Sequence, residues 1–207
     1  MLQIEKIGII KYNVKLNFKN IINTIKIMGE YIFPIRKITN KFSSINSKEE
    51  LQNFIQQRAA HVTQTTLYGY LKTRIGTRYN LMIEDEKYSN SINIAKWNIY
   101  VTSLSDLTFY VFSYLIDKKN LKQNDAEEIF INIINYETKN GLDKKIFEIA
   151  KKEFILKAKN INWKQFYIDH PFKDSASALY NWSPIADELK ILDKEIVLNS
   201  IKLKWNL

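Results

Sequence analysis

Cysteine is absent from the chain, and with it go disulfide frameworks, thiolate-bound zinc, iron–sulfur clusters and a cysteine nucleophile. Glycine and proline are scarce, five and three among 207 residues, so long stretches run without a breaker. Histidine occurs twice, as His61 and His170. Neither belongs to a His-Glu-x-x-His or Glu-x-x-His arrangement, so no metal site is expected. Gly69 and Gly76 form neither a phosphate-binding loop nor a dinucleotide fingerprint, and no cofactor is expected. The N-terminus lacks the continuous apolar core and cleavage site of a secretory signal, and it is too poor in Arg and Ser for a transit peptide. The expected compartment is the cytoplasm, or a mitochondrial matrix if the source is an organelle.

What is abundant is Lys, Asn and Ile. Lysine plus arginine total 31 against 22 acidic residues, a formal charge of +9. That balance permits attraction to nucleic acid, anionic lipid or an acidic protein. The lysines are dispersed, however, which favours a solvated basic surface over a concentrated electrostatic footprint. The first forty-one residues are the most one-sided, with Lys6, Lys11, Lys15, Lys19, Lys26, Arg36, Lys37 and Lys41 against Glu5 and Glu30.

Periodicity points to an all-α single-domain bundle over residues 1–207, with a basic N-terminal segment (1–46) and a helical core (47–207). Within the segment, Tyr12, Val14, Leu16 and Phe18 alternate with polar residues as in a strand before helical spacing begins near Ile21. Strand and first helical turn both remain open there.

Ser47 with Glu50 makes a capping box for a helix that stops at Gly76. A second long helix is expected from Ser89 or Ser91 to Asp117, antiparallel to the first. Asn124 with Glu127 opens a third, stopped at Asn140-Gly141. Asp143 caps a fourth through Ala158, and Asn162 with Gln165 starts a short one. Ser183-Pro184 opens the last helix, whose stripe of Ile185, Leu189, Leu192, Ile196 and Leu203 is expected to bury it against the two long ones. Residues 99–116 approach a membrane-spanning length, but Asp106 at their middle marks a buried core helix instead.

The two long helices carry the polar residues that call for a reason. On the first, Arg58, His61, Thr65, Tyr68 and Lys72 share a face, beside Val62, Thr66 and Gly69, small enough for another backbone to come close. On the second, Asn93, Lys96, Tyr100, Ser103, Asp106 and Tyr110 do the same. Counting outward from the turn sets Asp106 level with Arg58 and His61, so Asp106 is expected to pair with one of them, since a lone buried carboxylate is costly. Ser103, His61 and Asp106 supply the residue types of a nucleophilic triad without a G-x-S-x-G elbow or oxyanion loop. Tyr68, Tyr70, Lys72, Arg74, Arg78 and Tyr79 interleave rings and cations, as nucleic-acid surfaces do. The acidic run Glu84, Asp85, Glu86 reads as a first-turn or loop cluster.

The segments RAAHVTQTTLYGYLKTRIGTRY, SINIAKWNIYVTSLSDL and WSPIADELKILDKEIVLNSIKLKW resemble a family of small alphaproteobacterial proteins of unknown role, often labelled "esterase" automatically. The resemblance runs from about Ser47 to the C-terminus. It implies an AT-rich alphaproteobacterium, or a mitochondrion by descent, as the source, and it brings no catalytic residue map. The reading that results is a basic interaction or assembly protein with another protein as partner. Its functional patch is Arg58, His61, Tyr68, Tyr70, Lys72, Arg74, Arg78 and Lys96. The alternatives are an esterase-type hydrolase using Ser103, His61 and Asp106, and association with RNA or an anionic membrane.

Overall fold

The computed structural model describes residues 45–119, 121–169 and 171–205. His170 and the N-terminal stretch holding the strand-or-helix alternatives lie outside them. The helices belong to the unit Asn46–Leu207. They are α1 (Lys48–Ile75), a 3-10 turn (Gly76–Arg78), α2 (Tyr79–Glu84), α3 (Glu86–Lys119), α4 (Gln123–Thr138), α5 (Lys144–Asn160), α6 (Lys173–Trp182) and α7 (Asp187–Trp205), with no strand among the described residues. The chain is an all-α bundle.

Local signals set most boundaries. Ser47 accepts the Glu50 amide at 3.1 Å to start α1, and Gly76, at φ 61°, ends it. α3 begins a turn earlier than expected because Asp85, not a serine, accepts the Tyr88 amide at 2.8 Å. α4 also starts early: its first residue is Gln123 and no side chain caps it, so the Asn124 box is not formed. Gly141 at φ 101° turns the chain so that the Leu142 amide reaches back to the Glu137 carbonyl and Leu142 is buried. Asp143 caps α5 through the Lys145 amide. Around Asn162 the chain makes turns rather than a helix, and these are tied to α3 by Ser113, which donates to the Trp163 carbonyl and accepts the Tyr167 amide.

α3 lies at the centre, packed against α1, α2, α4, α5 and α6. It is long and apolar enough to cross a membrane, yet 61% of that apolar window is buried within the fold, as in a core helix. Phe109 stacks on Phe154 at 4.4 Å, and Phe154 stacks on Phe130 at 4.0 Å, joining α3, α5 and α4 through one column of rings.

The C-terminal end departs from expectation. Ser183 terminates α6 instead of opening the last helix, and α7 starts at Asp187. α7 packs on α1 and α6 through Asp193, Val197, Ile201 and Trp205. The expected stripe faces outward except for the partly buried Ile185: Leu189 is 40%, Leu192 75%, Ile196 71% and Leu203 65% exposed. At ~100° per residue the two stripes lie roughly 140° apart around one helix. Gly69 likewise admits no close neighbour, since a Cβ added there meets nothing within 4 Å.

Candidate functional site

Asp106 is 1% exposed, and the groups that engage its carboxylate are Lys157 and Ser175 where Arg58 or His61 was expected. Its Oδ1 accepts from Lys157 Nζ of α5 at 2.9 Å, and its Oδ2 accepts both the amide and the hydroxyl of Ser175 of α6, at 2.8 and 2.7 Å. Helical rotation explains the change of partner. Tyr100 faces α1 and α4, and six residues further on Asp106 has turned about 240° to face α5 and α6. Asp106 also supplies what α6 lacks, because the N-cap residue Phe172 has no capping side chain and sits at φ 69°. A carboxylate on an amide of the first turn satisfies an orphan donor and complements the helix dipole. Lys157 also binds Asp174 at 2.7 Å. Burial pushes its ammonium down, but the two aspartates outweigh that and hold it above its ordinary value. The cluster binds three helices together, and its carboxylate oxygens are both in use.

Ser103 is 0% exposed and its hydroxyl has no hydrogen-bond partner. A hydroxyl sealed from solvent and bonded to no base is not poised as a nucleophile, so the candidate triad of Ser103, His61 and Asp106 is not assembled in an open cleft.

The expected patch divides into separate tasks. Arg58 Nη2 donates to the Lys204 carbonyl at 2.8 Å, satisfying the last turn of α7, and burial lowers its pKa. Arg74 pairs bidentately with the buried Asp193, and Tyr70 donates to the same carboxylate at 2.9 Å. These contacts run α7 antiparallel to α1. Tyr68 packs against the core, whereas Lys72 and Arg78 are exposed. His61 is half-buried. Two of the six groups that suggested a nucleic-acid surface, Tyr70 and Arg74, are thus spent inside the fold.

Lys96 lies elsewhere, at a cavity of about 230 Å³ between α1, α3 and α4, lined by Ala60, Thr63, Gln64, Lys96, Trp97, Tyr100, Glu137 and Asn140. Glu137, 7% exposed, is its most unusual member. It sits in the last turn of α4, where the helix dipole disfavours a negative charge. Three donors compensate: Gln56 Nε2 at 2.8 Å and Tyr100 Oη at 2.9 Å on Oε1, and Asn140 Nδ2 at 2.9 Å on Oε2. Burial, with the Glu137 carboxylate beside it, pushes the Tyr100 phenol far up, so it is a committed donor. Lys96 Nζ rests 4.6 Å from the centre of the Trp97 ring. Burial lowers its pKa, opposed in part by Glu137, and it makes no ion pair or hydrogen bond with the described residues. Thr63, on the same wall, is 1% exposed and its hydroxyl finds no partner.

Sequence reasoning reached Lys96 and Tyr100 and missed Glu137. The signal was available: a glutamate one turn before the Asn140-Gly141 stop stands at the wrong end of its helix. Among the described residues no group of three His, Cys, Asp or Glu is placed to hold a metal. No family model matches the chain, and no curated protein or solved structure matches it.

Proposed function

We propose that the chain is an assembly module that self-associates through α7. The observation that supports this is the outward stripe. Leu189, Leu192, Ile196, Asn199 and Leu203 follow one another at steps of three, four, three and four, the spacing of a coiled-coil seam, and all five are exposed. A surface helix gains nothing from leucines left in water, and a contiguous apolar stripe of this kind marks an interaction face.

The occupant is a second copy of this chain, because the seam complements itself. In a parallel, in-register pair related by a two-fold axis each seam residue meets its own counterpart. Leucine then packs on leucine, and Asn199 meets Asn199, whose amide carries both donor and acceptor and is satisfied by its twin. A lone asparagine in such a seam fixes register at some cost in stability. Each buried Leu or Ile contributes roughly 1.5–3 kcal/mol, against an association cost on the order of 4–15 kcal/mol. Four apolar residues from each copy are together of the size needed to offset that cost.

The absence of native cysteine makes the test clean. Leu189→Cys and Asn199→Cys should each form a disulfide-linked dimer on mild oxidation, because both positions meet themselves only in the parallel arrangement. Sedimentation of the full chain should show a concentration-dependent monomer–dimer equilibrium that Leu192→Glu shifts to monomer. A chain that stays monomeric at several hundred micromolar overturns the reading.

A further inference from the structure

The cavity between α1, α3 and α4 is lined by an ammonium and a carboxylate that do not pair with each other. Glu137 closes one side, with a hydrogen bond from each of three donors fixing its position. A carboxylate offers about four acceptor positions, so one remains, on Oε2. Lys96 stands on the same cavity with its three N–H donors unspent. In a core built only for stability these two groups would close onto each other, because a half-buried ammonium without an acceptor is a net cost. The Trp97 ring instead steadies the ammonium, and a space of about 230 Å³ is kept open, room for about seven waters at ~30 Å³ each. Charges of both signs on the wall of one small void are what a short dipolar molecule requires.

We propose that this cavity binds a small zwitterion of the amino-acid class, its carboxylate held by Lys96 and its ammonium by the remaining position on Glu137. Tyr100, Gln56 and Asn140 act as positioning residues that hold the Glu137 carboxylate, while Trp97 supplies an apolar wall for the carbon chain. This site lies on α1, α3 and α4, away from the outward face of α7, so its test is independent of self-association.

The test is isothermal titration calorimetry on the full chain with glycine, β-alanine and γ-aminobutyrate, which place the two charges at increasing separation. Propionate and propylamine, one charge each, serve as controls. At least one zwitterion should bind saturably, at one per chain, with a Kd below about 10 mM, and should alter Trp97 emission. Lys96→Met removes one charge-assisted bond and should weaken that binding by about tenfold or more. Lys96 is half-exposed, so this variant folds even if Glu137→Gln does not. The proposal is overturned if no zwitterion saturates, if propionate binds as tightly as the best of them, or if Lys96→Met binds as the native chain does.

Discussion

Removing the Asp106 carboxylate tests the packing logic of the whole bundle, because one side chain serves α3, α5 and α6 together. Asp106→Ala deletes three hydrogen bonds. Lys157 keeps Asp174 and is 26% exposed, so its charge is not stranded and that part of the loss is modest. Ser175 fares worse: its buried amide, the capped donor of α6, and its buried hydroxyl both lose their acceptor, each at a cost of about 1–3 kcal/mol. Together these give a destabilisation of about 3 kcal/mol. For a domain of this size that lowers Tm by roughly 6–12 °C, at 2–4 °C per kcal/mol. Urea unfolding followed by circular dichroism measures the energy, and hydrogen exchange locates it, with α6 amides exchanging faster than those of α4. Asp106→Asn keeps an acceptor for the Ser175 amide and should fall between native and Asp106→Ala. In a double-mutant cycle with Lys157→Met, the coupling should reach about 1 kcal/mol. A loss below about 1 kcal/mol for Asp106→Ala, or a uniform rise in exchange, would refute the reasoning.

Two further predictions concern single groups. Gly69→Ala should stabilise the chain by about 0.5–1 kcal/mol in urea unfolding, because the position is helical and a Cβ there meets nothing within 4 Å; a loss of stability would show a close neighbour. Stability should also fall as pH rises past 10. Tyr100 and Lys157 both hold their protons more tightly folded than unfolded, so their contribution is complete below the ordinary values of 10.0 and 10.5 and is lost as pH climbs toward the raised ones. Tyr100→Phe, less stable at neutral pH for want of its bond to Glu137, should show a shallower decline through that range, and an unchanged slope would contradict the burial of the phenol.

The parts of the fold legible in the sequence are those whose cause lies within a few residues. Ser47 caps α1 through an amide three positions on, Asp143 caps α5 through one two positions on, and Gly76 and Gly141 take the left-handed backbone that ends a helix. The central helix was legible for a similar reason, since its Asp106 forbade a membrane reading and required a buried partner. The identity of that partner was not. Arg58 and His61 were the polar groups nearest by counting along a hairpin, whereas Lys157 and Ser175 stand 51 and 69 residues away.

α6 escaped sequence reading for the same physical reason. Its own N-cap is Phe172, a residue that caps nothing, held in a left-handed conformation by packing against Tyr110 and Trp205. The cap comes from α3, so no local pattern could announce the helix. α7 shows the converse. Its outward stripe is the more apolar of the two, so periodicity alone assigns it to the core, while the stripe that is buried contains Asp193. That aspartate is tolerated because Arg74 and Tyr70 of α1 reach it, and hydrophobicity alone ranks such a stripe second. A helix lying on the surface of a bundle needs one apolar face. α7 has two, and the second, exposed one is the face proposed above for self-association. The polar residues thus decide which apolar face turns inward, and the face they leave over is the one available for assembly.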